Sequence, residues 1–237
     1  MGHEFSWVAN LPFFDSLTVV LGGHAHDTSA VYHVALVVLV LTLVVIIGYW
    51  KKPKELIPDG KVSVKNVSEV IIEAILGLMD DVMGPEGRRF LPLIGTLAVF
   101  ILFNNLLGLL PGFSPPTDNI NTTAACGLTV FFYYQYVGIR KHGWRYIKQF
   151  LGPFMPIAPL MFPIEIISHF ARPLSLSLRL FGNMTGDHLV LVIFSSLIPL
   201  LIPCIAMSLG IFVSVIQSLV FILLSMMYLA GALAEEH

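Results

Sequence analysis

The sequence predicts an all-α integral membrane protein with five membrane helices, the last two long and strongly tilted, and one interfacial amphipathic helix. Three observations carry the prediction. Of 237 residues 56% are apolar and only 12% charged, where soluble domains carry roughly a quarter charged. Mean hydropathy is +0.84, and such a length holds about five or six spans of roughly 20 residues with little left over. The 13 Lys and Arg occur only at 51–65, 88–89, 140–148, 172 and 179. A single membrane domain over 1–237 is expected.

Residues 1–29 are mixed, with Pro12, Gly22, Gly23 and the pair His24 and His26, and are assigned as an external N-terminal segment. Two histidines are too few to hold a metal, so a solvated loop is the better reading. No basic n-region or small-residue cleavage site is seen, so neither a cleaved signal peptide nor a transit peptide is expected. Residues 30–50 form the first membrane segment, closed by Tyr49-Trp50 and Lys51-Lys52-Pro53-Lys54, an aromatic belt followed by a basic anchor.

Over 66–83, Val67, Val70, Ile71, Ala74, Ile75, Leu78, Met79 and Val82 recur at three- and four-residue spacing, with Glu69, Glu73 and Asp80 off that face. This predicts an amphipathic helix, capped by Ser68, lying in the interface or packed on a soluble subunit. Segments 90–111 and 124–139 follow, separated by a polar turn and closed by Pro111-Gly112 and by Arg140-Lys141. Gly143 to Gln149 is a further basic loop. The last membrane segments are 153–202 and 204–234. Cys126 and Cys204 lie in apolar stretches and read as free thiols packed as small hydrophobes.

By the positive-inside rule, the loops at 51–89 and 140–150 face the cytoplasm, which places the N-terminus outside and the C-terminus inside. At about 1.5 Å per residue a last helix of about 30 residues reaches about 45 Å, beyond a hydrocarbon core of roughly 30 Å. Steep tilt, kinks or re-entry relieve such mismatch, and Pro153, Pro156, Pro159, Pro163 and Pro173 are available as kinks.

On a helical wheel with Arg179 at zero, Glu165, Ser168, Arg172, Ser175, Asn183 and Gly186 all fall within about 40° of it. The stripe spans about 32 Å, provided the helix continues through Pro173. A charge at mid-membrane costs between ~3 and ~17 kcal/mol and marks ion pathways by default. Glu165 is about 21 Å from Arg179 along the axis, too far to pair. Arginine stays protonated, so it cannot relay protons by titration; it can attract a carboxylate and force that group to release its proton. No carboxylate at matching depth stands in this chain, which places the partner on another subunit. Arg172 is near the cytoplasmic end, where snorkelling is an equal alternative. His188 and Asp187 form a candidate relay, with His188 about 180° from Arg179 on the wheel. Gly210, Ser214 and Gln217 share a face of the last helix, where Ser214 reads better as an interhelical hydrogen bond.

Pro173-Leu-Ser-Leu-Ser-Leu-Arg-Leu-Phe-Gly-Asn-Met184 closely resembles the signature of subunit a of F-type ATP synthase. Supporting the resemblance are Pro163-Ile-Glu-Ile-Ile-Ser168, Asn104-Asn-Leu-Leu-Gly-Leu-Leu-Pro111, Pro116-Thr-Asp-Asn-Ile-Asn-Thr-Thr123, Gln217 and the terminal Glu235-Glu236-His237. It covers about residues 30–237.

The resemblance implies two proton half-channels that load and unload carboxylates of a rotating c-ring, coupling proton flow to rotation and ATP synthesis elsewhere. Arg179 then matches the family's essential arginine, an electrostatic barrier facing those carboxylates. Asn183 and Gln217 match polar residues beside it, and Glu165 and Ser168 match the cytoplasmic side of the path. His188 matches the outer half-channel. Its histidine partner in some members is Gly210 here, so Asp187 is taken as the substitute. Asn119 stands where some members have Asp. Ser175 and Asn121 complete the implied path. Implied partners are the c-ring subunits, peripheral-stalk b subunits, the rest of the complex and membrane lipid, in a bacterial cell inner membrane. No nucleic acid, cofactor or metal is expected, and no Gly-rich loop precedes a Lys-Ser or Lys-Thr pair. The chain is not a catalyst alone. Nothing favours sodium over protons. The alternative is a secondary transporter using Arg179 to bind an anionic substrate, which predicts internal repeats that the sequence lacks. An intramembrane hydrolase would need Ser168 and His169 to face each other, which neighbours in a helix do not.

Overall fold

An apolar helix in lipid must satisfy every backbone polar group within itself, and its hydroxyls must find partners too. In the computed structural model of this chain many hydroxyls do so within their own helices, although those of Thr185 and Ser214 have no partner among the described residues. The structure describes residues 25–50, 64–110, 113, 115–143, 146, 158–197 and 201–233. All secondary structure among them is helical: α1 (Ala25–Trp50), α2 (Val64–Met83), α3 (Leu91–Leu107), α4 (Ile120–His142), α5 (Ala158–Leu197) and α6 (Leu201–Leu233). Short 3₁₀ turns at Pro85–Phe90 and Pro116–Asp118 precede α3 and α4. Thr42, Thr96, Thr129 and Ser208 each donate to the carbonyl four residues back, at 2.6 to 2.8 Å, so these exposed hydroxyls are satisfied inside their own helices.

Among the described residues, three stretches are long and apolar enough to cross a bilayer: Ser29–Ile46, Pro85–Leu107 and Cys204–Leu233. Their outer faces are apolar, with Leu39, Val45, Ile205 and Phe212 all exposed. Such a surface suits lipid rather than water. The core lies between α3, α4, α5 and α6, where Ile94, Ile101, Val130, Tyr134, Leu180, Phe221, Met226 and Leu229 are buried. α1 sits at the margin, against α2, α3 and the Pro116–Asp118 turn. Only one narrow face of it is covered, at Ala30, His33 and Val37.

α2 buries Ile75 and Met79 against this core, while Val67, Val70, Ile71 and Ile72 remain exposed. At its end Asp80 accepts two hydrogen bonds from Arg88, at 2.8 and 2.6 Å. The bidentate guanidinium holds the Asp80 carboxyl below its ordinary range. α4 begins at Asn119, whose side chain accepts from the Asn121 backbone N–H at 2.9 Å. It ends on Arg140, Lys141 and His142, the charge sign that suits a helix C-terminus. Lys141 Nζ donates to the Leu233 carbonyl at 2.7 Å and so caps α6 as well.

α5 is continuous over 40 residues, through both Pro163 and Pro173, so the continuity on which the polar stripe depends holds. At about 1.5 Å per residue it is about 60 Å long, and the 33 residues of α6 reach about 50 Å. The external segment before residue 25, the Pro111-Gly112 closure, the start of the 153–202 segment and Glu235-Glu236-His237 lie outside the described residues.

Candidate functional site

The polar stripe divides in two when α5 packs. Ser175, Arg179, Asn183 and Gly186 are exposed, whereas Glu165, Ser168 and Arg172 are half-buried. The adjoining face, Leu176, Leu180 and Met184, centred about 100° round the helix, is buried against the core. Leu174 and Leu178, on the other side of the stripe, are exposed as well. A Cβ on Gly182 or Gly186 would meet nothing within 4 Å. Beside Arg179, then, small residues hold open a surface that no part of the described chain fills. Among the described residues Arg179 makes no ion pair.

One turn further on, Asn183 Nδ2 donates to Gln217 Oε1 at 2.7 Å. Gln217 is buried and its Nε2 has no hydrogen-bond partner. This pair joins α5 to α6 beside the arginine. Ser214, one turn earlier on α6, is also buried, with its hydroxyl oxygen unpartnered.

Toward the Pro116–Asp118 turn lies the first polar cluster. His188 Nδ1 is 3.3 Å from Asp118 Oδ2. Its close partner is thus Asp118, a residue outside the set expected from sequence, while the neighbouring Asp187 also interacts electrostatically with it. Consecutive helical residues diverge by about 100°, and Asp187 turns to α6 instead. There a Cβ on Gly210 would lie 2.9 Å from Asp187 Oδ2 and 2.5 Å from Leu109 Cδ2. Thr117 Oγ1 donates to Asn105 Oδ1 at 2.7 Å, and both residues are buried. Asn119 is buried as well, with its side-chain oxygen committed to capping α4; Asn121 is exposed.

At the far end of α5, about 35 Å from His188, lies the second cluster. His169 Nδ1 is 3.4 Å from Glu165 Oε1 and 3.1 Å from the Glu165 carbonyl. Arg172 places its guanidinium 5.6 Å from the Tyr228 ring centroid, a cation–π distance. Tyr134 adjoins both His169 and Tyr228, with centroids 6.2 and 6.1 Å away. Arg172 is thus held among aromatics rather than extended away from them. Tyr146 is buried nearby and its hydroxyl donates to Gln135 Oε1; burial pushes its phenol above the ordinary value.

Sequence reasoning missed Asp118 and Tyr228. Asp118 lies inside a motif whose neighbour, Asn119, drew the attention, and only folding shows which of the two faces α5. Tyr228 reads as one more apolar residue of a span.

Polar side chains at both ends of one long helix, with an exposed arginine between them that no described residue pairs, mark an all-helical membrane protein. The chain belongs to the ATP synthase A chain family, whose sequence model matches residues 30–230. It is 49% identical to ATP synthase subunit a of Geotalea daltonii over 237 residues, covering 100% of both chains. Identity is 52% over 207 residues to ATP synthase subunit a 1 of Syntrophotalea carbinolica, covering 87% of this chain and 86% of that one. Against subunit a of Geobacter sulfurreducens it is 47% over 227 residues, covering 96% and 97%.

Proposed function

We propose that this chain, as a subunit a, provides two proton half-channels that load and unload c-ring carboxylates in the F-type ATP synthase. The chain is a membrane subunit of that complex and no catalyst by itself. The observation that carries the half-channel reading is the open face of α5: among the described residues Arg179 is exposed and unpaired, and a Cβ on Gly182 or Gly186 would meet nothing within 4 Å. A ring of helices bearing one carboxylate each would fill that face and satisfy the charge.

In this reading the membrane is crossed five times, with α5 and α6 tilted along the ring, the N-terminus outside and the C-terminus in the cytoplasm of a bacterial cell. Peripheral-stalk b subunits complete the stator. Protons enter through the cluster at His188, Asp118, Asp187, Asn119 and Asn121. They bind a ring carboxylate, ride nearly one turn, and leave by way of Ser175, Ser168 and Glu165. Arg179 stays charged throughout. It favours the ionised carboxylate and bars direct leakage between the halves, while Asn183 and Gln217 hold its helix in register. Lack of internal repeats weighs against the anion transporter.

Single cysteines test the assignment in membranes containing the intact complex. Cys at 179 or 183 should crosslink to cysteines in the ring, and Cys at 180 or 184, on the buried face, should not. The reverse pattern would refute the open face.

A further inference from the structure

We propose that His33 of α1 is a proton-carrying member of the cluster formed by Asp118 and His188, so that the path draws a residue from the first helix. The inference rests on the half-channel reading above.

His33 has no exposed surface at all. It lies on the covered face of α1 between Ala30 and Val37, about 12 Å along the helix from Ala25. Val31, Leu36 and Val38 around it point outward. Neither ring nitrogen makes a hydrogen bond of normal geometry; the Ser29 backbone, one turn back, is nevertheless close enough to interact with the ring. Its other neighbour is the Phe113 ring, edge-on with centroids 5.4 Å apart.

Such a site asks for a leucine. A buried, poorly bonded polar group costs about 1–3 kcal/mol, and an apolar residue here would avoid that. What the imidazole gains is its charge partner. Asp118 interacts electrostatically with His33 while its Oδ2 lies 3.3 Å from His188. The Pro116–Asp118 turn that carries it packs on both α1 and α5. α3, the other helix beside His33, has no charged side chain. α2 also packs on α1, yet no group on it appears among those acting on the ring. One carboxylate, on a turn packed against both helices, thus lies within electrostatic reach of both imidazoles, in contact with His188 but beyond hydrogen-bonding distance of His33.

An imidazole can accept a proton at one nitrogen and release one from the other. Each hand-over moves one proton: across the gap to Asp118 a bridging water takes the proton from His33 and gives one to Asp118, and Asp118 loses it as His188 gains it. No electrons are transferred. The rival role is a pin, an imidazole that merely fastens α1 to the turn.

His33→Gln keeps hydrogen bonding but cannot titrate. In sealed vesicles of the intact complex, a relay predicts at least a tenfold loss of proton translocation and a changed dependence on pH at the outer face, with normal assembly. His188→Gln serves as comparison. Normal translocation in His33→Gln with loss in His188→Gln overturns this inference alone; normal translocation in both overturns the path as well. Loss in His33→Gln with an unchanged pH profile assigns the ring to the pin and also overturns it. Should the variant fail to assemble, hydroxyl-radical labelling of the unaltered complex decides: a watered relay is labelled at His33, and an unlabelled ring refutes it.

Discussion

Asn183 Nδ2 donates to Gln217 Oε1 at 2.7 Å, tying α5 to α6 one turn beyond Arg179. An amide pair suits this place because neither partner titrates, so the link survives whatever the protons nearby do. Gln217→Leu removes the acceptor and should cost about 1 kcal/mol. Translocation should fall with the arginine's positioning, while Gln217→Glu, which keeps an acceptor for the Asn183 amide, should retain more. Proton pumping in vesicles ranks the three.

The His188–Asp118 pair should behave as a unit. Asp118→Asn leaves the shape and removes the proton acceptor, and a positioned acid–base group contributes roughly 100-fold or more. We expect a loss of that order, with little added loss in the Asp118→Asn, His188→Gln double variant. Additive losses would show that the two act separately.

At Gly210 a small side chain needs two flexible side-chain ends to shift, and a branched one should be costly. Any Cβ there meets Leu109 and Asp187 within 2.9 Å, and overpacking of this kind typically costs about 1–3 kcal/mol. Gly210→Val should lower the melting temperature of the detergent-solubilised subunit, and trimming Leu109 to Ala should restore part of it.

Gly127 and Gly186 should fail in different ways. A Cβ on Gly127 would run into the Ser177 hydroxyl and lie 3.0 Å from the Pro173 carbonyl, wedging α4 from α5. Gly127→Leu should therefore reduce the amount of folded subunit. Gly186→Leu meets nothing in this chain, so the subunit should fold and accumulate, yet fail to hold the ring. Quantifying the subunit in membranes, and the ring that co-purifies with it, separates the two.

These residues also mark how far sequence alone reaches. Periodicity picks out Ile75 and Met79 of α2, which are buried, but not that Val67, Val70 and Ile71 of the same face stay exposed. The narrow placement of Ser175, Arg179, Asn183 and Gly186 on α5 follows from 100° per residue once Pro173 is known not to break the helix. Where α5 turns against its neighbours is not periodic. Glu165 and Arg172 share the stripe's angle, yet they pack against His169 and Tyr228, because α4 and α6 cover that end and leave the middle open. His188 likewise gets its partner from a turn some 70 residues away in sequence, which no helical wheel contains. His33 was available from the start, as an ionisable residue in a span.

The most direct test of the gate is Arg179→Ala in the assembled complex. An electrostatic barrier that faces ring carboxylates predicts normal incorporation of the subunit and loss of ATP-driven proton pumping. Pumping at the unaltered rate, with assembly intact, would contradict it.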